Sequence, residues 1–428
     1  MKKIISLVAL MALAFPASAE DVDVSFSGDF RVRGQYDIVQ SFDDAADDRN
    51  GNDWSSQFRI GSAWNAGEEI SGQISFLANA HWGGDTDSRE VAENASNFDV
   101  YELYATWLLS DTTKIRVGRG VYTLADGTIV SENFFEDLPF SFDGIIYTHE
   151  MDWARLDAFF ARLENDGANS VAAAADNRTH ADTIGLNLDL KFLPDAFSMA
   201  NVHVLQVNKD ATTHAPADID YLRYGLTLAG DVGAVDFRGT YAAYSGDISI
   251  PTTTSEGDYS GSMYDLELGF NMRDLMGARF HVLLHSDSGD EDGNVTATAA
   301  PPASDDNDRY DGFFYNRHDN AGLMDVIRWG NSTYTQLGIS FEPQDDLVFD
   351  IRYIMFEKTE SKDTVQHELG AVALGTGDDV GDEIDFSVTH KYENGLEIQA
   401  RYSMFSPGNA FAGDDDYSQF FLQASLEF

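Results

Sequence analysis

The chain has 428 residues and a formal net charge of −46, from 27 Lys and Arg against 73 Asp and Glu. That acidity excludes nucleic acid as a partner, because polyphosphate would be repelled, and an aromatic content of 12% excludes a disordered chain. With no cysteine there is no disulfide framework, thiolate metal site or Cys nucleophile.

The first residues read MKKIISLVALMALAFPASAE. Lys2 and Lys3 precede an apolar core from Ile4 to Phe15, and Ala17-Ser18-Ala19 forms a small-residue cleavage site. This predicts a signal peptide over residues 1–19. Residues 20–428 are then one exported domain, since no Pro/Ser-rich linker or composition break divides them.

From there the chain alternates apolar and polar residues with period two. VDVSFSGDFRVRGQY puts Val22, Val24, Phe26, Phe30 and Val32 on one face and Asp29, Arg31 and Arg33 on the other. Further runs follow at residues 54–66, 70–82, 99–109, 114–122, 142–151, 153–163, 183–190, 199–207, 221–229, 235–244, 264–272, 278–285, 333–341 and 347–356. A hairpin at 383–408 turns at Tyr392-Glu393-Asn394-Gly395, and a last run spans 417–428. These make about eighteen strands, each long enough to cross a bilayer when tilted.

The connections alternate in length. NAGEE, LSDTT, EMDW, AGDVG, RDLMG, EPQDD and YENG are short, and KFLPDAFS is slightly longer. Between them lie long segments at 38–53, 83–97, 123–141, 164–180, 208–219, 245–260, 286–331, 357–382 and 406–416. Soluble sandwiches vary loop length at both ends; outer-membrane barrels have short periplasmic turns and long extracellular loops. The pattern predicts an all-β fold, a transmembrane antiparallel β-barrel with both termini periplasmic. The final FFLQASLEF, ending on Phe428, is a typical terminal strand of such barrels and a signal to the outer-membrane barrel assembly machinery.

A lipid-facing Arg at the bilayer midplane costs about 2–4 kcal/mol, so strand arginines should point inward. Arg31, Arg33, Arg59, Arg116, Arg155, Arg223, Arg238, Arg279, Arg352 and Arg401 all fall on the polar phase. Arg119 leaves it near a strand end. The arginines either line a pore or pair with inward carboxylates such as Asp157, Asp236, Asp265 and Glu267 and brace the wall. The segment TLADGTIVSENFFEDLPFS either folds inward as a constriction loop, anchored by Phe134, Phe135 and Phe140, or stays on the surface.

The stretches KIRVGRGVYTLADG, SFDGIIYTHEMDWARLDAFFAR and VGDEIDFSVTHKYENGLEIQARYSMFSPG resemble the alginate-export family of outer-membrane barrels. The resemblance runs from about Ile115 to the end, weakening across roughly 165–330. It implies an eighteen-stranded barrel and an arginine-rich lumen that moves a polyuronate. By position it implies pore-lining roles for Arg116, Arg119, Asp143, Arg155, Glu383 and Asp385. Acidic loops, such as FDDAADDRNGND, pull against a polyanion conduit.

No G-x-S-x-G, H-E-x-x-H, calcium-loop or phosphate-loop pattern is present. His281 and His285 stand about 13 Å apart on a strand, too far to share zinc. The sequence therefore predicts a channel that is not an enzyme and has neither metal nor cofactor. Its solutes are small and hydrophilic, acidic saccharides among them, and its surroundings are outer-membrane lipid and lipopolysaccharide. The alternative is a barrel whose acidic extracellular loops form an adhesion or cation-binding surface.

Overall fold

The computed structural model describes residues 22–38, 51–82, 97–135, 139–166, 178–191, 193–210, 217–250, 255–272, 274–293, 306–312, 314–367 and 374–428. The expected signal peptide and the acidic stretch at 43–50 lie outside the described residues.

The strands in chain order begin with β1 (Val22–Ile38), β2 (Gly51–Ala66), β3 (Ile70–His81), β4 (Asn97–Ser110), β5 (Thr113–Gly120) and β6 (Phe142–Glu150). Next come β7 (Ala154–Asp166), β8 (Arg178–Leu190), β9 (Phe197–Lys209), β10 (Asp218–Val232), β11 (Val235–Ile250), β12 (Ser255–Met272) and β13 (Ala278–Asp287). After β14 (Ile327–Arg328) follow β15 (Thr333–Gln344), β16 (Leu347–Glu357), β17 (Gln366–His367), β18 (Asp379–Lys391), β19 (Leu396–Pro407) and β20 (Tyr417–Glu427). The small β14 and β17 pair only with each other. The other strands form one 18-stranded sheet. Each pairs antiparallel with its neighbours, and β20 returns to β1, with Asp29 opposite Glu427 and Ile38 opposite Ser418. The sheet is therefore a closed barrel with no free edge.

Alternation sets the two faces. Leu222, Tyr224 and Leu226 are exposed on β10, whereas the intervening Tyr221, Arg223 and Thr227 are buried in the lumen. The same phase runs around the wall through Ile184, Val202, Tyr241, Leu266, Phe386 and Leu422. A bulge at Ser75/Phe76 lets two consecutive residues, Tyr101 and Glu102, both face inward. Exposed aromatics mark both rims: Trp54 and Trp82 stack at the outer end, while Trp107 and Trp153 stand at the periplasmic turns. Tyr417, at the start of β20, is buried.

The expected loop at 245–260 is largely strand. β11 and β12 stay paired out to Ile250 and Ser255. The apolar alternation fades there because the extension rises above the bilayer, where the outward Asp247 and Asp258 meet water while Ile248 and Tyr259 face the interior.

Leu266 lies between Tyr264 and Phe270 on the lipid face of β12. Leu266→Arg is expected to lower unfolding free energy by about 2–4 kcal/mol in lipid vesicles. Leu266→Val should stay within about 1.5 kcal/mol of wild type. Equal urea midpoints for Leu266→Arg and wild type would place this face away from lipid.

Candidate functional site

The lumen is crossed by two inward loops. The first, described over residues 121–135 and 139–141, reverses direction at Ala125, Asp126 and Gly127, all with positive φ, at the cost of placing two non-glycine residues in the left-handed region. This turn lets Leu124 bridge Val130. It also buries Leu124, Ile129 and Val130 with Phe142, Phe159, Leu205 and Val207 of the wall. Thr128 reaches Arg238 on β11, whose Nη1 donates to it at 3.3 Å. The chain then returns to the opposite wall.

There Phe134 and Phe135 meet a cluster of arginines. Arg31 Nη1 donates to the Phe134 carbonyl at 2.8 Å, and Arg33 Nη2 to the Phe135 carbonyl at 2.5 Å. The Arg59 guanidinium lies 4.8 Å from the Phe134 ring and also binds Asp29 at 2.5 Å. Phe135 takes Arg33 at 4.0 Å and Arg401 at 4.9 Å. Such cation–π contacts are each worth about 0.5–2 kcal/mol, more as water is excluded. Phe140 packs edge-on against Phe314 at 5.0 Å, and the Tyr101 hydroxyl donates to Glu132 at 2.8 Å.

The second inward loop joins β13 to β15. Its short helix α1 (Arg317–Asn320) carries His318, which stacks on Phe135 with centroids 3.4 Å apart and bonds Asp325 at 2.8 Å. His318 Nε2 also meets Arg401 Nη1. The loop backbone is held by carboxylates from the wall. Glu383 accepts from the Leu323 and Met324 amides at 2.8 and 3.1 Å, and Asp385 accepts from the Ser403 hydroxyl at 2.5 Å. Asp287 accepts from the amides of Gly330 and Ser332 at 3.0 and 2.8 Å. A buried pair between Arg309 and Asp363 ties this loop to the one between β16 and β18.

Nearby, Tyr221, Tyr244, Tyr259 and Tyr310 form an aromatic cluster. Lys209 binds Asp311 at 2.6 Å beside it. Burial pushes the Asp311 carboxyl up, but Lys209 and Arg223 outweigh it and hold the group below the usual carboxylate range.

Two of the lumen's cavities reach the periplasmic end. The larger, about 600 Å³, is bounded above by Phe134, Phe135, Asn316 and His318 and below by the β18–β19 turn. Arg31 lines it. The smaller, about 360 Å³, is lined by Lys114, Arg116, Arg155, Asp157, Asp189 and Tyr104, among others. Arg116 sits 5.0 Å over Tyr104 and donates to the Val121 carbonyl at 2.8 Å.

The other predicted residues divide by partner. Arg238 binds Asp265 at 3.1 Å, Arg279 binds Asp236 and Glu267 at 2.5 Å each, and Arg352 binds Asp350 at 2.6 Å. Arg238 and Arg279 thereby brace separate strands, whereas Arg352 and Asp350 share the inward face of β16. Arg223 is enclosed with Tyr310, and Asp385 is fully buried under the second loop.

Arg119 and Asp143 are a correction. They pair with each other at 2.6 Å, 39% and 48% exposed. Arg119 shares its face with Val117, and Asp143 shares its face with Ile145, both exposed to the outside. Strict alternation therefore turns them outward at the extracellular ends of β5 and β6. There each neutralises the other, and Arg162 and Asp182 repeat the arrangement on β7 and β8 at 2.7 Å. Lys114 and His318 are site residues that sequence reasoning did not single out. Lys114 stands two before Arg116 on the same inward phase, a readable signal; His318 gave none.

No curated protein matches the chain. Among solved structures it is similar to a BenF-like porin from Pseudomonas fluorescens, with a TM-score of 0.62, 14% identity and coverage of 95% of this chain and 99% of that one. It is also similar to OpdK from Pseudomonas aeruginosa, solved with vanillate, with a TM-score of 0.60, 11% identity and coverage of 94% and 98%. OpdO from the same organism gives a TM-score of 0.59 and 16% identity over 95% and 97%. These likenesses establish the barrel fold. The alginate export family profile matches residues 22–423. The chain belongs to the alginate export family and is a porin-like solute channel of the outer membrane.

Proposed function

We propose that this channel passes small acidic solutes and not an extended polyuronate. The observation that carries this is the first inward loop, which spans the lumen from Thr128 on Arg238 to Phe134 and Phe135 on the arginines of β1, β2 and β19. A polymer needs a continuous wide bore; here the space is divided into a cavity with Arg31 and one with Lys114, Arg116 and Arg155. The smaller cavity, with Lys114, Arg116 and Arg155 against Asp157 and Asp189, is the lining a carboxylate would meet; the larger sets Arg31 and Lys391 against Asp29, Glu132, Glu397 and Glu427. OpdK, a barrel of this fold, was solved with vanillate, a carboxylate of such a size.

A second reading, a shut barrel whose acidic loops form an adhesion or cation-binding surface, draws on the same loop layer. Planar-bilayer recording separates the two, since purified, folded protein that conducts no current sinks the channel proposal. One unit charge about 10 Å from a permeating ion in water is worth about 0.4 kcal/mol. Arg116→Ala raises the energy of a permeating anion and lowers that of a cation by the same amount, so it should lower the anion-to-cation permeability ratio by about fourfold, read from reversal potentials in a salt gradient. Arg119→Ala should leave that ratio unchanged, and an equal loss in both variants would put Arg119 back in the pore.

The residues of 20–428 act as one barrel domain with no catalytic role. Lipopolysaccharide surrounds the outer rim, and the barrel assembly machinery reads β20 with its exposed Phe428.

A further inference from the structure

Arg401 projects from β19 into the lumen and is 3% exposed. Its Nη1 meets His318 Nε2 and lies 3.5 Å from the Leu323 carbonyl. Its ring neighbours are Phe421, 3.7 Å from the guanidinium carbon, and Phe135. Its Nε and Nη2 have no hydrogen-bond partner. Buried guanidinium donors are seldom left in that state, because those N–H groups give up water and gain no hydrogen bond in return.

The Nε–Nη2 edge has a recurrent use in this protein. Arg119 grips Asp143 through it, Arg162 grips Asp182, Arg279 grips Asp236 and Arg309 grips Asp363. In each case two parallel N–H groups hold the two oxygens of one carboxylate, the geometry for which the planar fork is preorganised. Arg401 offers the same edge inside the barrel without a carboxylate on it.

What covers it is also what closes the larger cavity. Phe135 and His318 touch Arg401 on one side and line the cavity of about 600 Å³ on the other. His318 belongs to the second inward loop, and that loop is fastened to β18 through Glu383 and Asp385. A group that took Arg401 away from His318 would therefore remove one of the loop's attachments to the wall.

We propose that Arg401 is a receptor for the carboxylate of a small monoacid, and that seating it draws the guanidinium from His318 and opens the passage above the larger cavity. The inference rests on the reading of an acidic-solute channel and adds a gate operated by the solute. The class is a monocarboxylate because one fork accepts one carboxylate, and Glu383 and Asp385 on the adjoining strand would repel a second.

The test is single-channel recording of the full-length protein in planar bilayers. Chloride is replaced stepwise by acetate, or by succinate, at constant ionic strength. Wild type is expected to gain open probability several-fold with acetate and much less with succinate. Arg401→Gln, shown to be folded by heat-modifiability on gels, should lose the acetate response while still conducting. His318→Ala, which leaves Arg401 in place, should be open far more often without acetate. An acetate response of equal size in wild type and Arg401→Gln overturns the proposal. So does wild-type conductance indifferent to acetate, or basal closure in His318→Ala matching wild type. Those results leave the channel reading standing; a folded protein that conducts under none of these conditions defeats both.

Discussion

Phe134→Ala/Phe135→Ala should raise single-channel conductance by a factor on the order of two, because the width of a constriction sets its barrier. The two rings are the points at which the first inward loop is pinned to the β1, β2 and β19 wall. Arg31, Arg33, Arg59 and Arg401 all place a guanidinium against one ring or the other. Removing the rings removes these contacts together, at about 0.5–2 kcal/mol each. The backbone bonds from Arg31 and Arg33 to the carbonyls of Phe134 and Phe135 remain possible, so the loop loosens and does not leave the lumen. The barrel itself should keep its heat-modifiable mobility on gels, since neither ring belongs to a strand. Unchanged conductance would place the constriction elsewhere.

A second large effect is expected from Asp363→Ala. This residue accepts from Arg309 Nε at 2.8 Å and from the Asp290 amide at 3.0 Å, with both side chains buried. Taking away one member of a buried pair leaves the other charge uncompensated, at about 3–5 kcal/mol. The cost falls on the docking of the second inward loop, not on the barrel ladder, so limited proteolysis should nick residues 306–312 and 314–326 much faster while the barrel survives. Replacing both members, Arg309→Met with Asp363→Leu, should recover much of the protection, because no buried charge is then left alone. Equal nicking in the single and double variants would mean that the pair contributes little to docking.

The wall was legible in the sequence for a simple reason. A strand buries every second residue whatever its neighbours are, so Arg223 between Leu222 and Tyr224 can be placed without knowing the partner strand. Loop lengths supplied the direction. The same rule placed Arg119 beside Val117 and Asp143 beside Ile145; the inward assignment came from the resemblance, whose motifs mark strands more than sites.

The interior of the lumen was not legible in the same way. Phe134 and Phe135 were recognisable as anchors, but their partners lie on β1, β2, β19 and β20, reached only when the sheet closes. Whether an arginine braces or faces solute depends on the residue opposite it across the register. Arg279 has Asp236 two strands away; Arg116 has the rim of a cavity. His318 sits in a stretch with no periodicity, and its position follows from Phe135, Asp325 and Arg401 together.

Closure of the sheet through β1 and β20 has a kinetic consequence. Asp29 faces Glu427, so the last seam joins segments separated by almost the whole chain. Loop-closure entropy makes such contacts slow to form. Until they form, β1 exposes a row of unpaired backbone groups that any other strand can join. The protein therefore crosses the periplasm with its first strand unprotected, and its survival there depends on being held apart from other copies until β20 arrives.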